Sequence, residues 1–117
     1  MVGSGITLHE GLKAYAELQK DKIDAAVVDL YSLKPFDGKK FIEFVKKHGS
    51  NVIVAEDHYP EGGIGEMVSG VALNSGVEVQ CLSVTKLPKS AKPDEVLAYE
   101  GINGSSIALA VKKFSGV

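Results

Sequence analysis

The stretch NVIVAEDHYPEGGIGEMV, residues 51–68, decides the fold because it holds a strand, a turn and the start of a helix in succession. NVIVAE is an almost continuous apolar run, typical of a parallel strand that is buried on both faces. Gly62, Gly63 and Gly65 follow in a glycine-rich turn, and the apolar run after them has the length of a helix. A strand that leads directly into a helix is the repeating unit of an α/β fold.

The segments before this stretch repeat the alternation. A strand end at residues 1–6 precedes a predicted helix over 7–22, in which Thr7 and Glu10 fit a capping box. The run 23–33 predicts a strand, and Asp37 fits the N-cap of a helix that Gly49 closes. The buried stripes of the two helices are predicted to be Leu8, Leu12, Tyr15 and Leu18, and Phe41, Phe44 and Val45.

The segments after residue 68 complete the pattern. The first helix after the turn is predicted to end near Gly76, and residues 77–84 predict another strand. Pro93 suits an early position of a short helix, and Asn103 or Ser105 suits the cap of the last one. The order predicts a single domain, residues 1–117, with a three-layer α/β/α fold and a small, mostly parallel sheet.

The first strand is expected to be truncated, because only Met1 and Val2 precede the turn GSG. We therefore expect a fragment of a longer chain or a start at a domain boundary. A native chain with a short edge strand is the alternative.

Composition excludes several classes of protein. The net charge of −2 gives no basic field for nucleic acid, and no apolar run reaches the ~20 residues needed to span a membrane. All 13 basic residues are lysines, so the bidentate clamp that arginine offers to phosphate is absent. The single cysteine, Cys81, cannot form an internal disulfide, which favours a reducing, cytoplasmic location.

The glycine turn is a candidate anion site. Backbone N–H groups at the start of a helix, beyond the carboxyl end of a strand, can hold a phosphate or carboxylate. However, the turn lacks the lysine and Ser/Thr of a phosphate loop and does not match G-x-G-x-x-G. Four acids, Glu56, Asp57, Glu61 and Glu66, would repel an anion. We expect Gly62, Gly63 and Gly65 to shape a strand-to-helix turn instead.

Other polar residues give weaker signals. His58 beside Asp57 could act as a general base, but neighbours on an extended chain point to opposite sides, so an exposed or interfacial histidine is expected. Lys86 and Lys89 could dock an acidic partner or an anion, or lie on a solvated loop stiffened by prolines. The three histidines show no metal-ligand spacing, so no metal site is predicted.

Three stretches carry a resemblance to a known family. AAVVDLYSLKPFD (25–37), NVIVAEDHYPEGGIGEMV (51–68) and LSVTKLPKSAKPDEVLAYEGIN (82–103) closely resemble the C-terminal, third domain of transketolase. The resemblance covers essentially the whole chain, in the same order. The C-terminal domains of 2-oxo acid dehydrogenase beta subunits and of deoxyxylulose-phosphate synthase are related and remain alternatives. They lack the DHY-x-EGGIGE motif.

The resemblance implies a parent enzyme that transfers a two-carbon ketol unit between sugar phosphates. It implies thiamine diphosphate and a divalent metal, magnesium or calcium, bound by upstream diphosphate- and pyrimidine-binding domains of a homodimer. This chain would then hold no catalytic, cofactor or metal residue, and His58 and Tyr59 would face a neighbouring domain or subunit. A stand-alone regulatory module that binds an anion through Gly62, Gly63 and Gly65, with Lys86 or Lys89, is the alternative.

Overall fold

The computed structural model describes residues 1–116, in which four strands alternate with five helices. The strands are β1 (Val2–Gly3), β2 (Val28–Asp29), β3 (Asn51–Ala55) and β4 (Glu78–Leu82). The helices are α1 (Ile6–Lys20), α2 (Gly38–Lys47), α3 (Ile64–Ala72), α4 (Pro93–Glu100) and α5 (Gly104–Phe114). The alternation predicted from the sequence is confirmed.

The strands form one sheet in the order β2-β1-β3-β4, and every pair is parallel. All five residues of β3 pair with β4, from Asn51 opposite Glu78 to Ala55 opposite Leu82. On its other side β3 pairs with β1 only where Val54 lies opposite Val2. Strand β4 forms one edge of the sheet, and its side chains are largely exposed.

Helices cover both faces of the sheet, so the predicted three-layer α/β/α architecture is confirmed. Because successive side chains of a strand point to opposite faces, β3 contributes to two separate cores. Val52 and Val54 pack in a cluster with residues of α2 and α3, namely Phe41, Val45, Val68 and Ala72. Ile53 and Ala55 pack in the other cluster with residues of α1 and α5, namely Ala14, Leu18, Ile107, Ala108 and Ala110.

Strands β1 and β2 are both two residues long. The prediction of a strand across residues 23–33 was therefore too long. Strand β2 bonds to β1 through Val28 N–H on the carbonyl of Met1 (2.8 Å), and Leu30 N–H extends the ladder to the carbonyl of Gly3 (3.0 Å). A strand can pair only along its neighbour, so the brevity of β1 limits β2.

Helix α1 corrects two predictions. The capping box was wrong, because Thr7 lies inside the helix, where its hydroxyl bonds the N–H and carbonyl of Ser4. The predicted leucine stripe was also mostly wrong: Leu18 is buried, but Leu12 is 49% exposed. The face that packs on the sheet and α5 is built from smaller or polar side chains, namely Thr7, Glu10, Gly11, Ala14 and Leu18.

Local signals placed the starts of α2, α4 and α5 well. Asp37 caps α2 by accepting the N–H of Lys40 at 3.0 Å, and Asn103 caps α5 by accepting the N–H of Ser106 at 3.0 Å. Pro93 begins α4 as predicted. Phe44 was wrongly assigned to the buried stripe of α2, since it is 39% exposed and lies beside the ring of His48. Helix α3 ends at Ala72, well before Gly76.

Glu10 joins α1 to α5 in a way that can be tested. Its carboxylate is buried and accepts the N–H of Gly104 at 2.8 Å, at the start of α5, while Lys13 donates to its other oxygen. Removing an acceptor that serves a buried N–H costs about 2 kcal/mol. We therefore expect Glu10→Ala to lower the free energy of unfolding by about 2 kcal/mol, measured by urea denaturation.

The control for this variant is Glu17→Ala, on the same helix. Glu17 is 44% exposed and lies 3.8 Å from Lys112, so its removal should leave the urea midpoint almost unchanged. Equal losses in the two variants would show that the bond from Gly104 to Glu10 does not hold α5 in place.

Candidate functional site

The cleft at the carboxyl ends of β1 and β3 is the candidate functional site. In the order β2-β1-β3-β4 the chain leaves β1 in one direction for β2 and returns on the other side for β3. Ligands of open α/β sheets bind beyond the carboxyl ends of strands at such a switch point. The cleft has a volume of about 320 Å³. It is lined by Ser4, Thr7, Leu33, Glu56, Asp57, His58, Gly62, Gly63 and Ile64.

A carboxylate of the chain itself occupies the helix N-terminus in this cleft. Glu56 follows β3 and is only 2% exposed. Its Oε2 accepts the N–H of Gly65 at 2.5 Å, in the first turn of α3. Free N–H groups and the helix dipole both favour a negative charge at this place. The position that a phosphate would take is therefore filled by Glu56.

The second oxygen of Glu56 is less well satisfied. Its Oε1 is buried and has no hydrogen-bond partner within residues 1–116. The nearest basic group is Nδ1 of His58, at 4.0 Å. A buried carboxylate oxygen without a donor costs free energy. The hydrogen bond from Gly65 N–H to Oε2 opposes this cost and keeps the side chain in place.

Each glycine of the turn has its own role. Gly62 has a φ of +73°, a conformation that side chains disfavour, and its N–H donates to Glu66 Oε2 at 3.1 Å. A Cβ on Gly63 would overlap the carboxylate of Glu56, and one on Gly65 would lie 2.6 Å from Cys81 Sγ. The turn is therefore shaped to bring α3 close to Glu56 and β4.

His58 and Tyr59 lie beside the turn and are exposed. Nδ1 of His58 lies 2.6 Å from the carbonyl of Tyr59, so Nδ1 carries the proton and donates this bond. The structure does not pair His58 with Asp57 within the described residues. The side chain of Tyr59 is 56% exposed. Neither residue is held in the geometry of a general base.

Lys86 and Lys89 lie elsewhere, on the loop after β4. Their ammonium groups lie 4.6 and 4.2 Å from the centre of the Tyr99 ring, and Lys86 Nζ also donates to the carbonyl of Tyr99 at 2.9 Å. Such cation–π contacts hold the two charges on α4. The structure therefore does not bring these lysines to the glycine turn.

Sequence reasoning missed that three glutamates are buried and accept hydrogen bonds from backbone N–H groups, namely Glu10, Glu56 and Glu100. Glu100 Oε2 accepts the N–H groups of Thr85 and Lys86, at 3.3 and 3.2 Å, just as Glu56 serves α3 and Glu10 serves α5. For Glu56, the sequence position could have indicated this role. Glu56 directly follows a strand that is buried on both faces, and a carboxylate buried there needs hydrogen-bond donors.

Within residues 1–116, no group of three or more His, Cys, Asp or Glu side chains is placed to hold a metal ion. None of the helices in this part of the chain is both long and apolar enough to cross a membrane.

The contact between Gly63 and Glu56 gives a prediction. Gly63 has an extended backbone that alanine tolerates, so Gly63→Ala tests only the clash with the carboxylate. We expect the free energy of unfolding to fall by about 2 kcal/mol, measured by urea denaturation, because a buried overlap forces side chains from their positions.

Gly70→Ala is the matched control, because Gly70 lies inside α3 and an added Cβ meets nothing within 4 Å. Here we expect a gain of about 0.5–1 kcal/mol from helix propensity. A loss at Gly70, or no loss at Gly63, would contradict the proposed packing of the turn.

Cys81 gives a prediction about pH. The residue is exposed, but partial burial of its thiol raises the pKa, the hydrogen bond with Ser69 lowers it, and the negative charge of Glu56 raises it. The net effect is upward, so at a given pH less of Cys81 is thiolate than in a free cysteine. We expect its rate of alkylation by iodoacetamide to rise at higher pH than that of the cysteine in the uncharged peptide acetyl-Gly-Cys-Gly-amide.

Two variants test the causes. Glu56→Gln should move the alkylation profile of Cys81 to lower pH, because it removes a negative charge. Ser69→Ala should move it to higher pH, because it removes the bond that favours the thiolate. Shifts in the same direction would show that the variants act through unfolding and not through these groups.

Comparison with known proteins shows which family the chain resembles. The profile of the family described as "Transketolase, C-terminal domain" matches residues 1–107. Transketolase-like protein 1 of Bos taurus is 44% identical over 114 residues, which are 97% of this chain and 19% of that protein. Transketolase of Homo sapiens is 41% identical over 113 residues, which are 96% of this chain and 18% of that protein.

Among solved structures, the chain described as "Split gene transketolase, inactive beta4 tetramer" superposes with a TM-score of 0.86 at 30% identity. The match covers 97% of this chain and 37% of that one. The chain thus spans about a fifth of the length of the curated relatives it matches. On the strength of its sequence and its fold alike, the chain belongs to the family of transketolase C-terminal domains.

Proposed function

We propose that the chain is an assembly domain of a transketolase and contributes no catalytic group. The parent enzyme transfers a two-carbon ketol unit between sugar phosphates, with thiamine diphosphate and a divalent metal held by its diphosphate- and pyrimidine-binding domains. The observation that carries the proposal is the occupied cleft: Glu56 takes the helix N-terminus at the switch point, where a ligand phosphate would bind.

The residues of the cleft do not fit a diphosphate. Glu56 and Asp57 line it, and the chain has no arginine to compensate their charge. Lys86 and Lys89, the predicted cationic partners, are held on Tyr99. This arrangement supports a domain whose parent binds its cofactor elsewhere. It also argues against the alternative of a stand-alone module that binds anions through the glycine turn.

The assembly role is supported by exposed apolar side chains at the carboxyl edge of the sheet. The connections after β2, β3 and β4 each present at least one, and Ile6 is the first residue of α1, which follows β1. Tyr31 is 87% exposed and Leu87 is 86% exposed, although both are large and apolar or aromatic. The others are Ile6, Leu33 and Tyr59. Where such side chains lie together in one patch, they mark contacts with other domains or subunits.

We propose that these residues, with His58, face the upstream domains or the second subunit of a homodimer. The free thiol of Cys81 supports a cytoplasmic location for the parent. The named relatives are transketolases, which favours this enzyme over a 2-oxo acid dehydrogenase or deoxyxylulose-phosphate synthase.

The proposal predicts that the 117-residue chain does not bind the cofactor. Thiamine diphosphate with Mg²⁺, titrated into the chain in a calorimeter, should give no heat beyond that of dilution, and NMR amide signals of Gly62, Gly63 and Gly65 should not move. Inorganic phosphate serves as the control for the anion module. Saturable binding of the cofactor would overturn the assembly role, and phosphate shifts at the three glycines would favour the regulatory alternative.

A further inference from the structure

The dipeptide Asn103–Gly104 lies at the start of α5 and is the only place in the sequence where glycine follows asparagine. In such a pair the backbone nitrogen after the asparagine can attack the asparagine side chain, a reaction called deamidation. Glycine favours this attack because it has no side chain to shield its nitrogen or to restrict its backbone. The start of α5 therefore contains a chemically reactive pair of residues.

Close packing requires the glycine of this pair. Gly104 is buried, and an added Cβ would lie 2.9 Å from Cβ of Lys13 and 3.2 Å from the carbonyl oxygen of Glu10, both on α1. A larger residue would therefore push α5 away from α1. The packing that joins the two helices thus also creates the reactive pair.

Deamidation proceeds through a succinimide ring. A base from the solvent takes the proton of the Gly104 nitrogen, which then bonds to Cγ of Asn103, while the bond from Cγ to Nδ2 breaks and ammonia leaves. Water then opens the ring at either carbonyl, which gives aspartate or isoaspartate. Water is consumed, ammonia is released, and nothing is oxidised or reduced. In the ring, Cγ of Asn103 stands where the hydrogen of Gly104 was.

Glu10 occupies the position from which Cγ would have to approach. The N–H of Gly104 donates to Oε2 of Glu10 at 2.8 Å, and the glutamate is only 4% exposed. Lys13 donates to the other oxygen at 2.9 Å and holds the carboxylate in this orientation. A hydrogen bond to a charged acceptor, which is stronger than one to a neutral acceptor, must therefore break before the ring can close.

The side chain and backbone of Asn103 are held away from the reactive geometry as well. Its Oδ1 accepts the N–H of Ser106 at 3.0 Å, which fixes Cγ over the first turn of α5. Its backbone is extended, with ψ of 171°. Ring closure requires the Gly104 nitrogen to eclipse Cβ of Asn103, and extended backbone turns that nitrogen away from Cβ. The cap must open and ψ must rotate before the two atoms can meet.

We propose that Asn103 is a deamidation site, which the hydrogen bond from Gly104 to Glu10 keeps closed and which reacts when the start of α5 separates from α1. In isoaspartate the main chain runs through Cβ, so it gains a carbon atom between Ile102 and Gly104. The start of α5 then cannot return to its alignment with Glu10. A transient opening of this junction is thereby converted into a permanent covalent change. The proposal rests on this junction alone and is independent of the assembly role.

The first test measures deamidation of the 117-residue chain in mildly alkaline buffer, below its unfolding transition. The tryptic peptide of residues 90–112 contains no side-chain amide other than that of Asn103, so its gain in mass reports this site. The peptide acetyl-Gly-Ile-Asn-Gly-Ser-Ser-amide gives the unprotected rate. We expect the chain to react about tenfold or more slowly than this peptide, and Glu10→Ala to react about tenfold or more faster than the chain.

Two further variants separate the role of Glu10 from general loss of stability. Glu10→Gln keeps an oxygen that can accept the N–H of Gly104 without a charge, so its rate should lie between those of the chain and Glu10→Ala. Gly63→Ala weakens the distant turn before α3 and leaves Glu10 in place, so its rate should stay close to that of the chain.

Several results would overturn the proposal. They are an unchanged or lower rate in Glu10→Ala, and equal acceleration by Gly63→Ala, which would show that unfolding of the whole chain controls the reaction. If Glu10→Ala does not fold, the comparison of folded Glu10→Gln with folded Gly63→Ala decides. Glu10→Gln must then react faster and must also show faster hydrogen exchange of the Gly104 amide.

The second test concerns the consequence of the reaction. Asn103→Ser keeps an oxygen that can cap α5 and has no amide to lose. During incubation, Glu10→Gln should accumulate isoaspartate, detected by an isoaspartate methyltransferase, and its melting temperature should fall with time. The double variant Glu10→Gln/Asn103→Ser should show neither change. An equal fall in both variants, or isoaspartate without any fall, would overturn the claim that modification at Asn103 prevents α5 from returning to α1.

Discussion

The hydrogen bond between the buried carboxylate of Glu56 and the N–H of Gly65 is the constraint on which the centre of the structure depends. It fixes the end of β3 to the start of α3, the two elements that supply much of one core. The bond requires α3 to approach closely, and that approach requires glycine at 63 and 65, where a Cβ would strike Glu56 or Cys81. The glycine turn and the acid before it are thus one structural unit, and the helix N-terminus is no longer free for a ligand.

The same principle recurs at two other junctions. Glu10 serves the start of α5, and Glu100 serves the backbone that leaves β4. In each case one carboxylate oxygen accepts backbone N–H groups of another part of the chain, which orients that part, while Oε1 of Glu56 and of Glu100 has no partner within residues 1–116. These junctions hold the loops at the carboxyl edge of the sheet in a fixed relation to one another.

Sequence alone predicted the parts of the fold that local physics determines. The apolar run of β3, the glycine turn, the caps Asp37 and Asn103 and the position of Pro93 all depend on near neighbours in the chain. It failed where distant partners decide. Helix α1 buries Gly11 and Ala14 and leaves Leu12 exposed, because α5 packs closely on that side. The role of Glu10 depends on Gly104, and the placement of Lys86 depends on Tyr99; no spacing rule connects these pairs.

The two outer edges of the sheet affect how the chain behaves in concentrated solution. Strand β2 offers only two residues to a neighbour, and β4 places the polar side chains of Glu78 and Gln80 along its exposed side. Short edges and edge charges both discourage one sheet from adding to another. Pairing of the sheet edges of two copies of the chain is therefore disfavoured, although the sheet is not closed into a barrel.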